Sequence, residues 1–252
     1  MNKTLFFSRL AIMLRPALHA HMRQGLFERR DGSRFGDLVM KHCLVEAARV
    51  QVFAELLYFE PTLTKELMMA AMLHDFYKKN EYALVLEEGC TWESFAKADD
   101  QAQKLLEFYY PERIVSIARN VGHTSLGATE NLLQLWRGGD TGDRTLAHLA
   151  LHYVDDYTRG AGWVEPFLND ENEIDWRMQR NAENPTYAQL NEDGRSRFNG
   201  KTTFEFQLEI AKEVEQVLFH ELRKRGRAGD LHSPLHIPQY VDEKIRKKIE
   251  NM

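Results

Sequence analysis

An all-α fold is what this sequence predicts, and three observations carry that reading. Apolar residues recur at spacings of three and four along most of the chain, the repeat of a helix with one face turned inward. Runs in which β-branched residues alternate with polar ones, the mark of a half-buried strand, are nearly absent. Proline and glycine stand where helices start and stop rather than in hairpin turns. With 43% hydrophobic and 28% charged residues among 252, the chain resembles ordinary globular domains, which excludes a fibrous or wholly disordered protein.

The elements follow in order. The segment 4–29 is amphipathic; Leu5-Phe6-Phe7 resembles the start of a secretory leader, but Arg9 interrupts the apolar run and Arg15-Pro16 ends it without a small-residue cleavage site. Further helices are expected at 35–58, 62–79, 92–108, 111–121, 127–137 and 143–158. Pro61 and Pro111 sit at first helical positions, where no backbone hydrogen bond is lost to proline. Gly122 and Gly138-Gly139 end helices, and Asp143 is placed to cap the next one.

From 161 to 202 the periodicity lapses, and Gly, Asn, Asp and Pro gather around Asn169, Asn184-Pro185 and Asp193-Gly194. A long irregular loop or lid is expected there, packed on the domain by Trp163, Phe167, Trp176 and Tyr187. Helices at 203–225 and 240–250 close the chain. The organisation is therefore a helical core with its N-terminal helix over 1–160, the loop or lid over 161–202, and C-terminal helices over 203–252 that pack on the core.

Composition removes several function classes. A net charge of −5 argues against a protein that grips duplex nucleic acid by general electrostatics, because counterion release needs a basic footprint. Cys43 and Cys90 are isolated, so they form neither a metal knuckle nor a redox pair. No apolar stretch reaches the length needed to span a bilayer, which points away from membranes and to a cytoplasmic location.

The chemistry gathers in three helices. In Ala70-Ala71-Met72-Leu73-His74-Asp75, an imidazole lies on the same stripe as Leu67, Ala70 and Ala71 and so turns toward the core, where it needs a partner. His42 lies on a stripe with Leu38, Val45, Val52 and Leu56. The mostly apolar helix Leu146–Val154 ends in Asp155-Asp156, two carboxylates that are costly to bury without a cation. Imidazole nitrogen combined with carboxylate oxygen suits a divalent transition metal, Mn, Fe, Co, Ni or Zn, better than Mg or Ca.

In order, residue type and helical setting, His42, His74-Asp75 and Asp155 resemble the HD-domain superfamily of metal-dependent phosphohydrolases. Lys78 matches the lysine of that family's His-Asp-x-Gly-Lys variant, although Tyr77 stands in the glycine position. Over residues 35–160 the resemblance implies a helical bundle holding one or two metal ions. His42, His74, Asp75 and Asp155 would be ligands; Asp155 is preferred to Asp156 because it directly follows Val154. Asp75 would also orient an attacking water, and Lys78 would stand beside the phosphate.

His123, after Gly122, would be a ligand of a second ion or a phosphate contact, with His148 or His152 as a further ligand. Arg159, one turn beyond Asp155, is a candidate phosphate clamp. The implied activity is hydrolysis of a nucleotide or nucleic-acid phosphoester, including single-stranded cleavage of the CRISPR HD type. Alternatives on the same fold are a nucleoside 5'-monophosphate phosphatase, a di-iron oxygenase, or a non-catalytic sensing or assembly module. A nucleotide or single strand is then the expected partner, with a homo-oligomer or larger nucleoprotein assembly as the wider context.

Overall fold

Helical periodicity of apolar residues becomes an all-α architecture in the computed structural model, which describes residues 2–24, 35–140, 142–158, 173–226 and 228–252. The N-terminal segment forms two helices, α1 (Asn2–Met13) and α2 (Arg15–Arg23), where one was expected; the break at Leu14 precedes Pro16, which begins a helix but cannot continue one. Next come α3 (Phe35–Leu56), α4 (Pro61–Leu73), α5 (Lys78–Glu88), α6 (Trp92–Tyr109), α7 (Glu112–Ala118), α8 (Leu126–Arg137) and α9 (Asp143–Tyr157). The remainder comprises α10 (Glu173–Glu183), α11 (Ala188–Arg197), α12 (Thr203–Lys224) and α13 (Ile237–Glu250).

Helix α3 is the central post. It packs most extensively on α4 and also against α9 and α13, while α12 and α10 cover α9 and α11 packs on α12. Its middle is apolar all round, and Cys43, Leu44, Val45, Ala47, Ala48, Val50 and Phe53 are buried, as expected for a helix enclosed by neighbours. Two buried charges interrupt this run, Glu46 and Arg49. Arg49 donates from Nε and Nη2 to the two oxygens of Asp242 at 3.0 and 2.8 Å, and from Nη1 to Thr158 Oγ1 at 2.6 Å, tying α13 and the end of α9 to α3.

Two differences from the sequence reading matter for the site. The helix expected over 62–79 stops at Leu73; His74 to Tyr77 form a turn and α5 begins at Lys78. Helix α5 buries no residue fully, so it shows no apolar stripe that would announce it. The irregular stretch expected over 161–202 is mostly helical where it is described, in α10 and α11, with a 3-10 turn at 185–187 between them and a tight turn at 198–201 before α12. Among its described side chains α10 buries only Ile174 and Met178, and α11 buries only Leu190 and Gly194, too few apolar positions to betray a helix by periodicity. Trp163, Phe167, Asn169 and Arg159 lie outside the described residues.

Gly194 lets α11 press against the start of α12. A Cβ there would collide with the backbone of Thr202 and Thr203, which cannot yield as a flexible side chain would. Gly194→Ala is expected to cost about 1–3 kcal/mol by overpacking, read as a lower urea midpoint with an unchanged slope. A wild-type midpoint would refute the tight contact.

Candidate metal centre

Helices α3, α4 and α9 each end or cross at one point, and their polar residues meet there. His42, Glu46, His74 and Asp155 each offer a donor atom, all within 4.8 Å of one another. His42 and Glu46 are one turn apart on α3, so both face the same way. The turn after α4 lets His74 and its neighbour Asp75 face the same space, which two successive residues of a regular helix, about 100° apart, do not do.

His42 Nε2 lies 2.7 Å from Glu46 Oε1, 3.4 Å from Asp155 Oδ1 and 3.9 Å from Asp75 Oδ2. His74 Nε2 lies 3.7 Å from Asp75 Oδ2 and 3.8 Å from Asp155 Oδ1. With metal–ligand bonds of about 2.1 Å, neighbouring donors of a tetrahedral or octahedral site stand roughly 3.0–3.4 Å apart, so the separations of 3.4–3.9 Å lie near or slightly beyond the spacing of ligands, while the 2.7 Å pair is at hydrogen-bond distance.

The tautomer of His74 follows from its surroundings. Its Nδ1 is 2.8 Å from the Ala71 carbonyl oxygen, which can only accept, so Nδ1 carries the proton. Nε2 then presents a lone pair to the cluster and has no hydrogen-bond partner in the protein. Such second-sphere carbonyl contacts are what orient histidine ligands in metal sites. The fully buried carboxylate of Glu46 meets the two imidazoles, Oε1 at 2.7 Å from His42 Nε2 and Oε2 at 3.3 Å from His74 Nδ1, but neither contact has hydrogen-bond geometry. Buried polar atoms left in this state are costly, and a cation would satisfy them.

The charges agree. Burial alone would lower the pKa of His42, but Glu46, Asp155 and Asp75 outweigh it and raise it to about 10. His74 is raised for the same reason, again against burial. Asp75 falls to about 2 because Lys78 and the two imidazoles outweigh its burial, and Asp155 lies well below the usual range, with Arg177 the largest opposing charge. Three acids thus surround two imidazoles, the charge deficit that a dication fills.

Asp156 is separated from this group. It accepts from Gln207 Nε2 at 2.7 Å and faces His152 at 3.4 Å, on the other side of α9. His148 and His152 are not part of the metal-holding group.

The group opens into a cavity of about 710 Å³. Lys78 lies on its wall, 3.5 Å from Asp75 Oδ1 and 2.9 Å from Glu81 Oε1. His123 also lines it, outside the metal-holding group. The opposite wall is α10, which contributes Trp176, Arg177, Arg180 and Asn181. Arg177 reaches back to the backbone oxygens of Asp155 and Thr158, with Nη2 3.8 Å from Asp155 Oδ1.

Sequence reasoning missed Glu46, Arg177 and Arg180. The signal for Glu46 was an acid inside an apolar run, one turn after His42. For α10 the only signal was two arginines and a tryptophan within one turn of a polar stretch.

His21 on α2 braces this end of α4 by donating from Nε2 to the Met72 carbonyl. Burial lowers its pKa to about 4, so it is neutral in the folded protein at pH 7. Between pH 4 and its ordinary 6.5 the unfolded chain binds the extra proton. Its contribution to stability is therefore complete above pH 6.5 and lost as pH falls through 4, by about 3 kcal/mol in all. Urea unfolding of the metal-free protein should weaken over this interval, and more shallowly in His21→Asn; parallel slopes would exclude the assignment.

Fold and site together define an all-helical protein with a buried histidine and carboxylate group able to hold a metal ion. Among the described residues, no helix is long and apolar enough to cross a membrane. Comparison with models of known families, with curated proteins and with solved structures finds no match to the chain.

Proposed function

We propose that the cavity is the active site of a metal-dependent phosphoester hydrolase whose ligand pattern is that of the HD-domain superfamily. The observation that carries the reading is the convergence of two imidazoles and three carboxylates at one end of a cavity whose walls also carry Lys78, Arg177 and Arg180. His42, His74 and Asp155 would hold the ion, with Glu46 and Asp75 completing or orienting the set. Bound there, a divalent ion supplies Lewis acidity and a water of lowered pKa.

The chain's own residues do the rest. Lys78 and Arg177 flank the carboxylates and offer N–H donors to phosphoryl oxygens, Arg177 through a planar fork. Asp75, held as a carboxylate at neutral pH, can accept a proton or hydrogen bond from an attacking water. Burial pulls the Lys78 pKa down, but Asp75 and Glu81 outweigh it and push it well up, so the ammonium stays charged. The wall of α10 adds Trp176 and Asn181, groups that suit a planar base and its amide edge, which supports a nucleotide or single-stranded nucleic-acid ester as substrate.

The test is elemental analysis of the purified protein joined to a Mn-supplemented screen. Bis-p-nitrophenyl phosphate, p-nitrophenyl phosphate, nucleoside 5'-monophosphates and single-stranded oligonucleotides are the substrates. Retained transition metal and EDTA-sensitive hydrolysis of at least one ester are expected. Metal-free protein that stays inactive on all of them with Mn, Fe, Co, Ni and Zn would sink the reading.

A further inference from the structure

A chain of buried polar groups runs from the core to the cavity, and its direction can be worked out from one end. His152 Nδ1 stands 3.0 Å from the backbone oxygen of Asn120, which can only accept, so Nδ1 bears a proton. Thr129 Oγ1, 3.3 Å from the same nitrogen, is able to accept as well. The other nitrogen, Nε2, faces Asp156 Oδ2 at 3.4 Å. Neither of these two atoms completes a hydrogen bond, and Asp156 accepts through Oδ1.

Gln207 is the next link. It is 2% exposed, and its Nε2 donates to Asp156 Oδ1 at 2.7 Å. With the amide nitrogen committed there, its Oε1 is the atom that meets His123 Nδ1 at 2.9 Å. An amide oxygen accepts, so His123 Nδ1 carries the proton and Nε2 carries the lone pair. The ring is held edge to face by Phe95, Phe204 and Tyr187, with centroids 5.6, 5.3 and 6.4 Å away. His123 and Gln207 both line the cavity.

From this we infer that His123 is a neutral hydrogen-bond acceptor for a hydroxyl or N–H donor of the substrate, and that Gln207 is the positioning residue that selects its tautomer. The substrate half of the inference rests on the cavity being the proposed active site; the tautomer half does not. In this state His123 offers no proton to a phosphate oxygen, which leaves that contact to Lys78 and Arg177. Burial lowers the His123 pKa to about 4, in keeping with a ring that stays neutral where the protein works. The assignment gives the cavity one fixed acceptor among aromatic edges, a place that rejects an analogue lacking the donor.

Long-range 15N–1H correlation spectra of histidine-labelled protein test the tautomer without substrate. The Nδ1–H form is expected for His123 at pH 7, unchanged when Zn2+ is added. Gln207→Leu, which removes the oxygen facing Nδ1, should give a mixed population of tautomers. An Nε2–H form, an imidazolium, or a Zn2+-induced shift of Nε2, which would make His123 a metal ligand, overturns the inference.

The substrate half is read on whichever ester the protein hydrolyses. Gln207→Leu is expected to raise KM roughly five- to tenfold with kcat nearly unchanged, the loss of one neutral hydrogen bond. An unchanged KM overturns the acceptor role. Absence of hydrolysis by the wild type counts against the proposed function and leaves the tautomer result standing.

Discussion

Replacing His74 with alanine is expected to lower affinity for Mn2+ by on the order of a hundredfold or more and to abolish the proposed phosphoester hydrolysis, with the helical circular dichroism almost unchanged. The position of the ring explains both effects. His74 sits just after the last turn of α4, its Nδ1 proton already committed to the Ala71 carbonyl, so Nε2 is the one ring atom available to the cluster. Alanine removes that donor without disturbing the helix, whose neighbours Leu67, Ala70, Ala71 and Met72 remain buried.

Asp75→Ala should be equally inactive with a smaller loss of metal, since Asp75 lies at the edge of the metal-holding group and faces Lys78. Isothermal titration with Mn2+ and the hydrolysis assay check both variants. Undiminished activity in the two would remove this site from the mechanism.

Arg49→Met is expected to destabilise the protein by about 3–5 kcal/mol, a large share of the stability of a single domain. The side chain grips Asp242 through two nitrogens, donates to Thr158 and lies over the Tyr157 ring at 4.6 Å. Methionine preserves much of the volume but strips the fully buried Asp242 of its bidentate partner. The penalty comes mainly from that carboxylate, so Arg49→Met combined with Asp242→Leu should recover most of the loss. Urea unfolding of the two singles and the double measures it. A double variant no more stable than Arg49→Met would show that the guanidinium contributes by another route.

Much of the bundle was legible before any coordinates, because burial leaves its period in the residues. Helices α3, α6, α8, α9 and α12 end within a few residues of their expected limits, and Thr202 with Glu205 forms the capping box that opens α12. Helices α5, α10 and α11 were not legible, for a common reason: they face the cavity or solvent over most of their surface, so few apolar positions mark them.

By itself, the sequence determined the helical class and the residue types that meet at the centre. His42, His74-Asp75 and Asp155 stood out because polar groups on apolar stripes need partners, a rule of burial that is readable along one helix. Only the tertiary structure decided among neighbours. Asp155 enters the cluster and Asp156 turns to Gln207, because adjacent helical residues point about 100° apart and the packing of α9 chooses which one faces α3. Glu46 joins the group, and Arg177 reaches Asp155 from a helix that the sequence did not announce, because proximity between helices is set by packing across the core and leaves no period along the chain.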